Sequence, residues 1–350
     1  GVKKVIFLHL TLILNNFRQD MPRKNNPVIF QEYLDNIFDK GFLWFSHNNR
    51  ALMMTKAIQS QFSTEYNKGL LLVLMAGVLW STVGLGIRMI QDASVWQILL
   101  CRSVSLSAFL AIFIYLRSGL SPVAIVFRSN LNTHIAALSL VAAYSGGIFA
   151  IQNTSVANAM LLFATAPFLA AILGWLVLRE RVRAVTWFAI LISFLGISIM
   201  VYDKSNSMVL FGSLAALGSA LGFAIFTVAL RHGQAVDMLP SVFLSGIYAI
   251  LITGSICALI DLKFVLGLSD GSIALGMGVF QVGAGLVLYT LGSKTLSGAE
   301  LALLSMSEPL LGPFWVWLFI GEYIDFNTIF GGLILLLAIF GNALFSFRNV

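Results

Sequence analysis

The sequence predicts an all-α integral membrane protein whose ten transmembrane helices form two inverted five-helix repeats. Composition is the first reason. Of 350 residues, 59% are hydrophobic and 10% charged, with a mean hydropathy of +0.91. A soluble domain carries about 25% charge, so this surface belongs in lipid. The second reason is spacing. From Leu70 onward the apolar residues group into ten runs, each near the ~20 residues that a helix needs to cross a bilayer. The third is a duplication. Pro167 is followed by Glu180 and Pro309 by Glu322, 13 residues on both times, and the two copies lie 142 apart (309 − 167 and 322 − 180). Ala157 precedes Ala299 by the same interval, and each proline sits midway along an apolar run that ends near its glutamate.

The ten runs fall at about 70–90, 94–116, 131–152, 155–178, 184–202, 208–230, 239–260, 271–291, 297–320 and 326–346. Helices are expected throughout, because lipid satisfies no backbone polar group and the alternation of barrel strands is absent. Connections are short, and Asp203-Lys204-Ser205-Asn206 reads as a turn. The first five runs make one repeat, residues 69–202, and the last five the other, residues 208–346.

Cations set the orientation. With the end before Leu70 in the cytoplasm, inside positions hold Lys56, Lys68, Arg117, Arg128, Arg179, Arg181, Arg183, Arg231, Lys294 and Arg348. The outside holds Arg88, Lys204 and Lys263. Ten against three places both termini in the cytoplasm of a multi-pass protein of the cell inner (plasma) membrane. Five runs per repeat is an odd number, so the repeats are expected to run in opposite directions, with Glu180 and Glu322 at opposite faces.

Residues 1–68 differ. They hold nine of the 21 Lys and Arg and five of the 15 Asp and Glu, with Asn-rich patches. Val5–Leu14 after Lys3-Lys4 is like a signal core but lacks a small-residue cleavage site. The segment reads as an N-terminal extension, disordered or not native over much of 1–52, with Met53 or Met54 as a natural start.

Several stretches together resemble a known family. They are Gly77-Val78-Leu79-Trp80-Ser81 in the first run and Arg102 in the second. Thr154-Ser155-Val156-Ala157-Asn158-Ala159 then leads to Ala166-Pro167 and Arg179-Glu180. Leu296-Ser297-Gly298-Ala299-Glu300 leads likewise to Ser307-Glu308-Pro309 and Gly321-Glu322. In that order, on ten runs, residues 69–346 resemble the ten-helix EamA-domain transporters of the drug/metabolite transporter superfamily. The resemblance implies a helical carrier for small metabolites, often amino acids, with both termini cytoplasmic. Family members often carry a second Trp early in the sixth span, where this chain reads Leu221-Gly222.

Membrane-buried polar groups are the candidate site. Arg102 lies about eight residues into its run, too deep to snorkel easily, where a charge costs at least ~2.5–3.5 kcal/mol. It reads either as a cavity-facing cation for a substrate carboxylate or as a structural arginine bonded to helix carbonyls. Glu308 stands midway along its run beside Pro309, and proline leaves the Ser305 carbonyl without its donor. An acid beside a freed carbonyl suits a proton or a cation, so Glu308, with Glu300 second, is the candidate for the coupling ion. A packing role as a protonated donor is the other reading. The repeat counterparts of Glu300 and Glu308 are Asn158 and Ala166, so one repeat supplies a cation and the other supplies acids. That asymmetry suits a dipolar, amino-acid-like solute, and drift after duplication would also leave it. Trp80, Arg102, Tyr144, Asn158, Gln281, Glu300 and Glu308 are therefore the expected substrate-binding set. Pro167 and Pro309 are the expected helix breaks. Phe223 and Tyr289 are further aromatic candidates, and Gln152, Asn153 and Thr165 further polar ones. Gly84/Gly86, Gly146-Gly147, Gly276/Gly278 and Gly283/Gly285 read as close helix contacts. Glu180 and Glu322 read as structural, bonding cations such as Arg181.

The function expected is a secondary carrier exporting a small metabolite, amino-acid-like or an organic acid, by alternating access. A channel or passive scaffold is the alternative, and an intramembrane enzyme a weaker one. No His-Glu-x-x-His or Gly-x-Ser-x-Gly is present, and His9, His47, His134 and His232 are scattered, so no catalytic residue is expected. Cys101 and Cys257 show no metal or disulfide spacing, no nucleotide loop occurs, and no cofactor or metal is expected. The net charge of +6 sits mostly at the ends of apolar runs, which suits anchoring rather than nucleic acid. The expected partners are a small-molecule substrate and membrane lipids, and nothing in the chain marks an oligomeric state.

Overall fold

A computed structural model describes residues 49–119, 121–202, 207–233, 238–296 and 298–347. The reading of residues 1–48 as an extension lies outside them. The chain divides into two compact units, Gly1–Asn67 and Lys68–Val350. The described part of the first, residues 49–67, is helical. All that follows concerns the second.

Among the described residues no β-strand occurs, and ten helices are long and apolar enough to span a membrane. In order they are Glu65–Met89, Val95–Arg117, Leu131–Asn153, Val156–Leu178, Ala184–Tyr202, Ser207–His232, Leu239–Leu259, Leu268–Thr295, Leu303–Ile320 and Phe326–Phe345, called here the first to tenth spans. Local chemistry starts and stops them. A capping box opens the second, where Ser94 Oγ accepts from Gln97 N at 3.4 Å and Gln97 Oε1 accepts from Ser94 N at 3.1 Å. Asn130 and Ser155 cap the third and fourth through Thr133 N and Asn158 N. Gly321, at φ 75°, ends the ninth in the left-handed conformation that glycine adopts without strain.

The duplication is visible in these limits. Shifting Val95–Arg117 and Ala184–Tyr202 by 142 gives 237–259 and 326–344, against Leu239–Leu259 and Phe326–Phe345 observed. Packing follows the same rule. The fifth span packs on the tenth and the second on the seventh, pairs that exchange of the repeats maps onto themselves. The sixth span packs on the third and fourth, and the first packs on the corresponding eighth and ninth.

Large apolar side chains such as Leu116, Leu191 and Phe319 point outward, as lipid-facing residues must. Small residues hold the helices together. A Cβ added to Gly196 would lie 2.6 Å from the Gly331 carbonyl oxygen, and one on Gly222 2.8 Å from that of Ser139, so the backbones touch there. The glycines read as helix contacts behave alike at Gly84, Gly146, Gly278 and Gly285; Gly276 has open space beside it.

Candidate functional site

Three spans are interrupted, each where a hydroxyl folds back onto its own helix. The first breaks at Thr82, whose Oγ1 donates to the Leu79 carbonyl at 2.6 Å. The fourth breaks at Ala164-Thr165, where Thr165 Oγ1 donates to Leu162 O at 2.7 Å. The ninth breaks at Met306, and there Ser307 Oγ donates to Leu304 O at 2.7 Å. Thr165 and Ser307 are repeat counterparts, 142 apart, so the break is built twice from the same part. Pro167 and Pro309 stand in the first turn of the helix that resumes, where a missing N–H costs least. The interruption therefore precedes each proline by two or three residues rather than falling on it. Pro313, one turn later, removes a further donor inside the same ninth span.

The eighth span winds wider instead, as a π-helix over Met277–Ala284. Such segments recur at functional sites. A Cβ on Gly278 would collide with the Arg102 carbonyl and lie 2.9 Å from Leu106 N, so this turn presses directly on the second span at Arg102.

Arg102 is 3% exposed, with its guanidinium carbon 4.6 Å from the centre of the Tyr144 ring. That face contact is worth up to about 2 kcal/mol when desolvated. Its Nε and Nη2 have no hydrogen-bond partner. A buried guanidinium bonded to helix carbonyls, one of the two readings of this residue, is thus not what is found. Trp80 and Tyr289 stack obliquely, with centroids 5.2 Å apart, and Trp80 lies against Gly285. Gln281, Gly285 and Tyr289 recur every fourth residue along the eighth span, and the Gln281 Oε1 is buried without a partner. Trp80 and Tyr144 pack against one apolar cluster that includes Leu106 and Leu286. The structure thus brings Trp80, Arg102, Tyr144, Gln281 and Tyr289 around the meeting of the first, second, third and eighth spans.

Glu308 lies in the first turn of the resumed ninth helix, half-buried, and makes no hydrogen bond or ion pair with any described residue. It does not pair with Arg102. Its neighbour Ser307 packs on Gly77, one turn from Trp80. Glu300 is half-buried in the first turn of Gly298–Ser305 and is already engaged. Asn158 is different. It is 0% exposed, and its amide donates to Thr154 Oγ1 at 3.0 Å and to Ser213 Oγ at 2.8 Å, which joins the fourth span to the sixth. Phe223 packs with Phe163 and Phe226.

Glu180 and Glu322 do hold cations, but distant ones. Glu180 accepts from Arg231 Nη2 at 2.6 Å, not from the adjacent Arg181, and Glu322 accepts from Arg88 Nε at 2.9 Å. Reading along the chain missed the first-span break, the π segment and Pro313. The signals were present as Ser81-Thr82, the run Gly276/Gly278/Gly283/Gly285 and the four-residue proline spacing. Among the described residues no group of His, Cys, Asp and Glu has the makings of a metal site.

Comparison with known proteins agrees with this picture. The model of the EamA-like transporter family matches twice, at residues 67–202 and 210–344. The uncharacterized transporter YwfM of Bacillus subtilis (strain 168) is 26% identical over 194 residues, 54% of this chain and 65% of that relative. An uncharacterized transporter of Vibrio cholerae is 28% identical over 186 residues, 52% of this chain and 59% of that relative. The matches thus span less than two thirds of those relatives' length. A protein of known crystal structure superposes with a TM-score of 0.57 over 81% of this chain and 98% of its own, at 17% identity, and so shares the fold. The chain belongs to the EamA-like transporter family and is a multi-pass membrane transporter.

Proposed function

We propose that this EamA-family chain is a secondary carrier of the plasma membrane, with both termini cytoplasmic, that exports a small amino-acid-like or organic-acid solute by alternating access between two inverted repeats. One observation carries the reading: Arg102 is buried in a membrane span with Nε and Nη2 unpartnered, and no acid neutralises it. Buried polar atoms without partners are rare and need a reason. A charge at that depth costs at least ~2.5–3.5 kcal/mol, and a solute carboxylate would offset the cost by accepting two parallel hydrogen bonds from the planar fork. Tyr144 supports the guanidinium from one face and leaves its edge for that contact.

The remaining parts have distinct tasks in this reading. Trp80 and Tyr289 form the apolar wall, and Gln281 offers a neutral acceptor for a solute N–H or hydroxyl. Glu308 carries the coupling proton or meets a solute amine, since an unpaired acid in a membrane span is stable only when neutralised. Glu300 is second to it for that task. Asn158 belongs to the packing between the fourth and sixth spans. The pairwise packing of corresponding helices supports the inverted repeat, because a two-fold relation exchanges those contacts.

Counterflow in proteoliposomes tests the proposal, with a pool of labelled amino acids and organic acids outside and unlabelled ones inside. The expected result is saturable exchange of a carboxylate-bearing solute that Arg102→Gln abolishes or weakens. Non-saturable flux without counterflow would make the protein a channel. Undiminished exchange in Arg102→Gln would remove the carboxylate role.

A further inference from the structure

We propose that the ion pairs Arg88–Glu322 and Arg231–Glu180 are the two latches of the transport cycle, one at each membrane face, and that closing one weakens the other. The proposal rests on the carrier reading above. Both latches are the same part used twice. Glu180 follows the fourth span and Glu322 the ninth, each directly after a residue in the left-handed region, Arg179 at φ 54° and Gly321 at φ 75°. That turn ends the helix and redirects the next side chain away from its axis. Arg88 stands at the end of the first span and Arg231 at the end of the sixth, which is the first span's repeat counterpart. Each acid reaches out of its own repeat to the other's arginine: Glu322 to Arg88, Glu180 to Arg231. With the orientation that the cations favour, the first pair lies at the outer face and the second at the cytoplasmic face.

The two are unequal. Arg88 donates through Nε to Glu322 Oε2 at 2.9 Å and through Nη2 to the Thr154 carbonyl at 2.8 Å, while Val156 N–H donates to Glu322 Oε1 at 2.7 Å. These bonds bind the end of the first span, the turn between the third and fourth, and the end of the ninth. The side chains are 28% and 21% exposed. At the other face a single Arg231 nitrogen meets both Glu180 oxygens at 2.6 Å, and the side chains are 49% and 40% exposed. Charge-assisted bonds shielded from water hold more firmly than solvated ones. This structure is therefore held more firmly at the Arg88–Glu322 face. A carrier rocks one repeat against the other, so equivalent contacts across the repeat interface are where one face gains what the other loses.

Backbone hydrogen exchange of the full chain in lipid nanodiscs, read by mass spectrometry, tests this without a transported solute. Glu322→Gln should speed exchange by about tenfold in residues 80–93 and 318–326, and slow it in residues 174–184 and 228–233. Glu180→Gln should give the mirror image. Gly174→Ala should act like Glu180→Gln without removing a charge, since its Cβ would lie 3.1 Å from Glu180 Oε2 and 3.7 Å from Arg231 Nη1. Exchanging the charges, Arg231→Glu with Glu180→Arg, should restore the wild-type pattern. Should Glu322→Gln fail to fold, Arg88→Lys keeps the charge, loses one donor arm and should shift both ends in the same sense more weakly. Faster exchange at the mutated face alone, with the other face unchanged, would overturn the proposal and leave two independent structural pairs. Reciprocal exchange in a protein that moves no solute would keep the latches and defeat the carrier reading; saturable transport with purely local exchange would defeat the latches alone.

Discussion

The fourth and ninth spans are the same helix written twice, and they differ where chemistry would reside. Both break at a hydroxyl that bonds its own helix, both resume with a proline in the first turn, and both end in a left-handed residue followed by glutamate. Between those shared points the contents diverge. Asn158 and Ala166 in the fourth span are buried, and the asparagine is used to join the sixth span. Their counterparts Glu300 and Glu308 are half-buried acids. Of the most apolar stretch of each span, 44% is buried in the fourth and 28% in the ninth. Duplication thus left the framework symmetric, because each copy must satisfy the same backbone in lipid. The positions facing inward were free to specialise.

Moving the chemistry into the wrong copy should have the largest effect. Ala166→Glu puts the acid of Glu308 into the buried fourth span, adding at least ~2.5–3.5 kcal/mol for the charge and about 1–3 kcal/mol for overpacking. Folded yield in detergent, followed by size-exclusion chromatography, should collapse. A well-folded Ala166→Glu protein would mean that the two copies are equally open. Next comes Glu308→Gln, which should abolish pH-driven accumulation in proteoliposomes while exchange persists. Unchanged pH dependence would hand the coupling role to Glu300, and failure of exchange itself would point to a solute amine.

Arg102 sharpens the contrast between the cationic and acidic repeats. Arg102→Gln should raise KM for a carboxylate solute by about tenfold to a hundredfold, the loss of one charge-assisted pair. Arg102→Lys should cost less, and Tyr144→Leu should weaken binding while Tyr144→Phe keeps the ring face. Equal KM values for Arg102→Lys and Arg102→Gln would show that the fork geometry plays no part. The smallest effect is expected at Asn158. Asn158→Ala should lower thermal stability through the loss of interhelical bonds worth about 0.6 kcal/mol each, with KM unchanged. A large rise in KM there would return Asn158 to the solute path.

Much of this was legible along the chain. The ten spans follow from a local rule, since lipid demands about 20 apolar residues with every backbone bond made internally. The repeat is written in the sequence as a 142-residue offset, and Arg102 and Glu308 stood out because a charge in an apolar run needs a reason. Which faces meet was not legible. Glu180 chooses Arg231, 51 residues away, over its neighbour Arg181; Arg102 lies over Tyr144; Trp80 leans on Tyr289; and Asn158 is packed away while Glu308 stays partly open. In water, a hydrophobic stripe tells a helix which side to bury. Inside a bilayer lipid is as apolar as leucine, so hydropathy orders the helices into the membrane but is silent on their partners. Those partners were decided only in the tertiary structure, by the fit of small residues and the few polar atoms that had to find one another.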